Sequence, residues 1–183
     1  MGSDPSVTAQ KCRPVNGTDP AAYLERNSSV TEVPQLSVII PCFDSGEGLK
    51  DQLSMLVDQN DAPSREILLC DNGGNPWLNE YVDSMAELPE GVDIRVVDAQ
   101  TRPGAAYARN RGIAEARAAK LAFCDDDDLV HPDWCRLASR LLDEYEVVSG
   151  GWWCERMQSS KACRLRKNSN YSSRRPVMFL RAQ

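Results

Sequence analysis

Leu36 to Leu49, LSVIIPCFDSGEGL, is the stretch that decides the fold. The run LSVII is apolar without alternation, so it predicts a strand buried on both faces. It passes through a polar turn, Pro41-Cys42-Phe43-Asp44, into leucines at helical spacing: Leu49, Leu53, Leu56 and Val57 fall at i, i+4, i+7 and i+8. The same alternation recurs downstream. EILLC, DIRVV, KLAFC and YEVVS predict four more strands. Trp77, Tyr81, Val82 and Met85 predict a second helix, the alanine-rich stretch Ala105 to Ala119 a third, and Trp134, Leu137, Ala138, Leu141 and Leu142 a fourth. Apolar strands separated by helices predict an α/β fold, a mostly parallel sheet flanked by helices and joined by right-handed crossovers. Ligands of such sheets bind beyond the carboxyl ends of the strands. At those ends lie Pro41 to Asp44, Asp71-Asn72-Gly73-Gly74, and four consecutive aspartates, Asp125 to Asp128. Polar and carboxylate groups therefore converge on one edge.

The 183 residues suffice for one domain with a proper core. With 42% hydrophobic and 26% charged residues the composition is that of a globular chain. No apolar run approaches the roughly 18 residues a membrane-spanning helix needs. The first twenty residues contain no apolar segment of the secretory type, so a cytoplasmic location is expected, and the sequons at Asn16, Asn27 and Asn170 are chance matches. Seven cysteines without a CxxC pair read as buried thiols in a reducing compartment, neither a disulfide framework nor a zinc site. His131 has no partners for a metal cluster or a Ser-His-Asp arrangement and reads as a loop residue.

Charge divides the chain. Residues 1–154 carry 13 Lys and Arg against 26 Asp and Glu; residues 155–183 carry 8 against 1. Three segments are expected: an irregular leader over 1–34, an α/β domain over 35–154, and a basic tail over 155–183. Such a tail suits anionic lipid at a membrane periphery, nucleic acid, or phosphates at the acidic edge. Its Asn and Ser content favours instead a solvated, disordered or incomplete end.

Four like charges in a row repel, and solvent, protonation or a cation must relieve them. Acidic residues before a helix starting near Pro132 are the plain alternative. Leaving a strand, Asp125 and Asp127 share a direction, with Asp128 adjacent, and such a set suits one hard cation, Mg²⁺ or Mn²⁺, that keeps positions open for phosphates. An EF-hand is excluded by the missing glycine and terminal glutamate, and zinc would want Cys or His ligands, whereas this set is all carboxylate. Asp71 and Asn72 offer directional hydrogen bonds to a base or sugar, although DNGG reads equally well as a plain turn. In RPGAAYARNRG, Gly104 opens a helix whose first N–H groups favour anions, and Arg109 can reach a phosphate or a carboxylate. Arg111 and Arg117 read as surface charge. Neither a P-loop nor a strand-linked GxGxxG occurs.

Together LSVIIPCFDSGEGL, REILLCDNGG and GAAYARNRGIAEARAAKLAFCDDDDLVHPDW resemble the N-terminal half of the family 2 glycosyltransferases, over roughly Leu36 to Gly151. The resemblance implies the GT-A (Rossmann-like) fold and metal-dependent, inverting transfer of a sugar from a UDP- or GDP-type nucleotide diphosphate sugar. The acceptor, whether glycan, lipid or small molecule, is not specified, and no nucleic-acid partner is expected. It implies that Pro41, Cys42, Phe43 and Asp44 line the nucleotide and that Asp71, with Asn72, contacts the base. Gly104, Ala108, Arg109 and Asn110 would lie beside the donor with Asp126, and Asp125, Asp127 and Asp128 would hold Mg²⁺ or Mn²⁺ on the diphosphate. Phe43-Asp44 stands where the family usually has Tyr-Asn, and Asn72-Gly73-Gly74 where it has Asp-Gly-Ser; both keep size and polarity.

The family takes its catalytic base from a second acidic motif well downstream. After residue 154 the only acid is Glu155, which lies too early, so no base is assigned and the chain is read as truncated. The alternative function is a non-catalytic nucleotide-binding module or an inactive, truncated transferase. A nucleotidyltransferase is disfavoured because PCFDSGEG offers acids where a basic phosphate loop is needed.

Overall fold

Residues 32–85, 87–150 and 177–181 are described by a computed structural model. The chain divides into Met1–Thr31 and Glu32–Gln183, and the description concerns the second unit. The expected leader, residues 1–34, lies outside the described residues except for its last three.

The five expected strands form: β1 Leu36–Cys42, β2 Arg65–Asp71, β3 Val92–Asp98, β4 Lys120–Phe123 and β5 Val147–Gly150. A sixth, β6 Val177–Arg181, was not expected. The helices are α1 Glu47–Val57, α2 Trp77–Ser84, α3 Ala105–Glu115 and α4 Trp134–Glu144. The sheet order is β3-β2-β1-β4-β6-β5, parallel from β3 to β4, with β6 antiparallel to both neighbours. From β1 the chain winds outward to β2 and β3, then returns to place β4 on the other side of β1. That reversal opens a crevice above the carboxyl ends of β1 and β4.

Alternation along the strands builds two cores. Leu36, Val38 and Ile40 of β1, Ile67 and Leu69 of β2 and Ile94 of β3 face one side with Leu49, Leu53 and Leu56 of α1, Leu78 of α2 and Leu142 of α4. Ile39, Leu68, Cys70, Val97, Leu121 and Phe123 face the other, against Ala108 of α3. Small residues set how close α3 lies: a Cβ at Gly112 would meet Ile39 Cγ2 at 2.5 Å and Cys70 Sγ at 2.7 Å. The alanine-rich composition of this helix therefore serves close packing on the sheet as well as helix propensity.

The structure differs from the sequence reading in two places. Helix α3 stops at Glu115, short of the expected Ala119, because Ala116 turns to an extended conformation (φ −67°, ψ 135°). The next residue then donates its backbone N–H to Glu66 at 2.6 Å, so a buried tertiary bond overrides the helix propensity of the alanines. The second concerns the tail. Val177–Arg181 is a paired strand, with Leu121↔Leu180 on one side and Val148↔Phe179 on the other, within a segment for which disorder was one expectation. VMFLR is long enough for a strand but is hidden when composition is averaged over 29 mostly polar residues. Residues 155–176 and 182–183, and with them most of the basic tail and its expected membrane contact, lie outside the described residues. Among the described residues no helix is long and apolar enough to cross a membrane.

The edge of the sheet opposite the crevice is held by charge. Ser37, Glu66 and Asp93 lie in one register row across β1, β2 and β3. The fully buried Glu66 carboxylate accepts from Ser37 Oγ at 2.6 Å, Arg95 Nη2 at 2.8 Å and Arg117 Nε at 2.9 Å. Arg117 also pairs with Asp93. It is therefore a structural residue, in contrast to Arg111, whose partner Glu115 lies one turn away on the surface of α3.

Candidate donor site

A cleft of about 1150 Å³ lies at the carboxyl ends of β1 and β4. Pro41, Cys42, Phe43 and Asp44 line it from the turn after β1, Gly104, Arg109 and Asn110 from the start of α3, and Asp125 to Asp128 from the loop after β4. Asn72 contributes from the loop after β2. Of the expected residues, Asp71, Gly73, Gly74 and Ala108 do not line the cleft, Ala108 being buried against the sheet.

Asp71 is 6% exposed and does not line the cleft. Its carboxylate is occupied by its own loop, accepting from Gly73 N at 3.2 Å, Asn75 N at 3.1 Å and Asn75 Nδ2 at 2.7 Å. Gln100 Nε2 adds a bond at 3.4 Å. The neighbouring Asn72 is likewise engaged by protein groups. Its side-chain amide donates to Ala99 O and to Arg102 O at 2.7 Å, and its Oδ1 accepts from Gly104 N at 2.6 Å. In this structure the pair ties the loops after β2 and β3 together.

The loops after β1 and β2 approach very closely. A Cβ at Gly73 would lie 2.9 Å from Asp44 N, so glycine is needed there for space. Asp44 itself is left-handed (φ 50°), a conformation that costs a non-glycine residue on the order of 1 kcal/mol. Beside it Phe43 is 68% exposed at the lip of the cleft.

Gly104, also left-handed (φ 117°), caps α3 at its N-terminus. Gly104, Ala105 and Ala106 line the cleft, so the positive end of the helix and its free N–H groups abut it. One turn on, Arg109 Nη2 pairs with Asp125 Oδ1. Of the two partners foreseen for this arginine, a phosphate or a carboxylate, the structure supplies a carboxylate.

The four aspartates are arranged by a tight turn, in which Asp128 N donates to Asp125 O at 3.2 Å. Strand alternation, which the sequence suggested, is not the cause. One carboxylate oxygen each from Asp125, Asp127 and Asp128 lies within 4.8 Å of the other two. An ion bound at about 2.1 Å spaces adjacent oxygens about 3.0 Å and opposite ones about 4.2 Å apart, so these three side chains would close onto Mg²⁺ or Mn²⁺ by rotating toward one another. Three carboxylates without sulfur or imidazole suit a hard cation.

Asp126 lines the cleft outside that group of three and accepts from Ser45 Oγ. Burial lifts its carboxyl above the ordinary range; the Ser45 hydroxyl opposes this and the Asp127 charge adds to it. The cysteines here are inert. Burial above all, then the Asp126 charge, pushes the Cys42 thiol far up, and Cys124 is raised by burial and by Asp128. A protonated, buried thiol is not a nucleophile at neutral pH. Cys70 and Cys135, both raised to about 12 chiefly by burial, are likewise free thiols, in accord with the sequence reading.

Ser45 and Asn75 were not among the expected site residues. Serine and asparagine are ordinary in turns, and nothing local points to a partner 81 residues away, as Asp126 is from Ser45.

The sequence model described as Glycosyl transferase family 2 matches residues 37–181. The glycosyltransferase AglE of Haloferax volcanii is 32% identical over 103 residues, which are 56% of this chain and 33% of that protein. GlyG, a glycosyltransferase of Streptococcus pneumoniae, is 26% identical over 120 residues, 64% of this chain and 39% of that one. Among solved structures, residues 1–349 of S. aureus TarS in complex with UDP superpose with a TM-score of 0.51 at 23% identity, covering 62% of this chain and 34% of that one. The chain thus spans between a third and two fifths of the length of these curated relatives.

Proposed function

This chain belongs to glycosyl transferase family 2 and has its GT-A fold, and from that membership we propose that its cleft binds a nucleotide diphosphate sugar through a divalent cation held by Asp125, Asp127 and Asp128. The carrying observation is the acidic turn itself, with three carboxylate oxygens within 4.8 Å of one another beside the N-terminus of α3. A diphosphate brought to this turn without a counter-ion is repelled, by about 4 kcal/mol per pair of unit charges at 4 Å near a protein surface. One helix end and one arginine already paired to Asp125 do not offset several such pairs. A cation between the two sets of oxygens reverses the sign.

When bound, the ion supplies Lewis acidity that stabilises the negative charge of the departing nucleoside diphosphate. The chain's own residues do the rest. Arg109 fixes the orientation of the Asp125 carboxylate, and the first N–H groups of α3 direct a partial positive charge toward the diphosphate. Pro41 to Asp44 form the wall along the nucleotide, with the exposed Phe43 ring as an apolar face for the base. Asp71 and Asn72 act on the base through the loops they order. TarS, solved in complex with UDP, supports a nucleotide of this type. Transfer to an acceptor hydroxyl with inversion completes the reading; the deprotonating base is unassigned.

The full chain, incubated with a panel of UDP- and GDP-sugars and Mn²⁺, is expected to release nucleoside diphosphate from at least one donor, even by slow hydrolysis. Binding of UDP or GDP without release from any donor is the result expected of a non-catalytic module. No release and no binding removes both readings.

A further inference from the structure

Four loops meet at the cleft, and one chain of hydrogen bonds runs through three of them. It starts at the buried Asp71 carboxylate, which accepts from Asn75 Nδ2 at 2.7 Å. Asn75 Oδ1 accepts in turn from the backbone N–H of Ser45 at 3.1 Å. Ser45 Oγ then donates to Asp126. Asp71, Asn75 and Ser45 are each less than a tenth exposed, so water does not substitute for these bonds. The chain therefore joins the loop after β2 to the turn after β1 and ends on the acidic turn after β4.

We propose that Ser45 and Asn75 are positioning residues that tune cation affinity: by holding Asp126 aside, they set the geometry in which Asp125, Asp127 and Asp128 converge. The inference rests on the acidic turn being a cation site. Four adjacent carboxylates relax most readily by fanning apart. The Ser45 hydroxyl holds one of them, Asp126, outside the converging group, and the backbone bond from Asp128 to Asp125 closes the turn on which the other three meet. Asn75 acts one step further back, fixing the Ser45 backbone so that its hydroxyl meets Asp126. The absent side chain of Gly73 permits the contact, since a Cβ there would come 3.3 Å from Asn75 Nδ2 as well as 2.9 Å from Asp44 N. Partners of this kind, one step removed from a metal, commonly change its affinity about 10- to 100-fold when lost.

The test is titration of the full chain with Mn²⁺ alone, following the free-ion electron paramagnetic resonance signal, well below the melting temperature of each variant. Ser45→Ala and Asn75→Ala are each expected to weaken Mn²⁺ binding about 10-fold, and together by much less than the product of the two, as members of one chain do. Ser45→Thr keeps the hydroxyl and is expected to stay within about 3-fold of the parent. A purely structural role predicts lower melting temperatures with unchanged affinity, and that result overturns the proposal. Equal weakening in Ser45→Thr and Ser45→Ala overturns it too, because the hydroxyl would then be irrelevant. Each alanine variant decides the question alone if the other fails to fold. A parent chain that binds no Mn²⁺ is a different outcome: it overturns the cation reading of the acidic turn, and this inference falls with it.

Discussion

Asp127→Ala is expected to lower Mn²⁺-dependent release of nucleoside diphosphate at least about 100-fold while leaving the melting temperature unchanged or slightly raised. Both halves follow from where this carboxylate stands. Asp127 is the exposed member of the three that converge. Removing one of three anionic ligands, with several kcal/mol of charge stabilisation resting on the ion, costs about 3 kcal/mol or more, and each 1.4 kcal/mol is tenfold in rate. The folded chain loses no packing, since an exposed side chain contributes within about 0.5 kcal/mol. Like-charge repulsion along Asp125 to Asp128 falls as well. Parallel loss of activity and stability would instead mark Asp127 as structural, and unchanged release would remove it from the site.

The largest effect on stability is expected far from the cleft. Glu66→Ala should destabilise the fold by about 3 kcal/mol, a fall of about 6–12 °C in melting temperature for a domain of this size. The substitution leaves buried Ser37 and the Arg117 backbone N–H without their acceptor and separates Arg95 and Arg117 from their shared anion. The arginine side chains are 20% and 41% exposed, so water recovers part of their charge and keeps the cost near the lower end for broken buried pairs. The pH dependence has a definite sign. Burial alone would raise the Glu66 carboxyl, but the bonds from Ser37, the Arg117 backbone and Arg95 outweigh it and hold the group below its ordinary value. A depressed folded value means that the contribution is complete above the unfolded carboxyl's titration, about pH 4.3, and is lost as pH falls through the folded value. Urea melts of the parent and of Glu66→Gln should therefore differ by a constant amount between about pH 5 and 7 and converge in more acid solution. A difference that widens toward acid contradicts the assignment.

Much of the architecture was legible because its signals are local. The strands from Leu36, Arg65, Val92, Lys120 and Val147 are apolar runs long enough to recognise, and parallel order fixes which ends face a ligand. That order alone led to Pro41, Asn72 and Asp125 as neighbours. What escaped was long-range. VMFLR pairs with β4 and β5, yet it sits in a segment whose average composition suggests no structure. Arg117 resembles any surface arginine until the α3–β4 connection is seen to lay it on Glu66. Asp71 was expected at the base, but an aspartate followed by Asn-Gly-Gly-Asn finds its donors within its own loop first. The four aspartates were grouped by strand alternation, but a turn brings three of them together and a distant serine binds the fourth.

The loop that Asp71 orders and the acidic turn both border the cleft, through Asn72 and through Asp125 to Asp128, and the proposed function has a nucleoside diphosphate join the two only through a cation. Calorimetric titration of the full chain with UDP and with GDP, each with Mn²⁺ and again with excess chelator, measures that link directly. The account predicts saturable binding of at least one nucleotide with Mn²⁺ and at least about tenfold weaker binding without it. Equal affinity in both conditions, or no binding of either nucleotide with Mn²⁺ present, would contradict it.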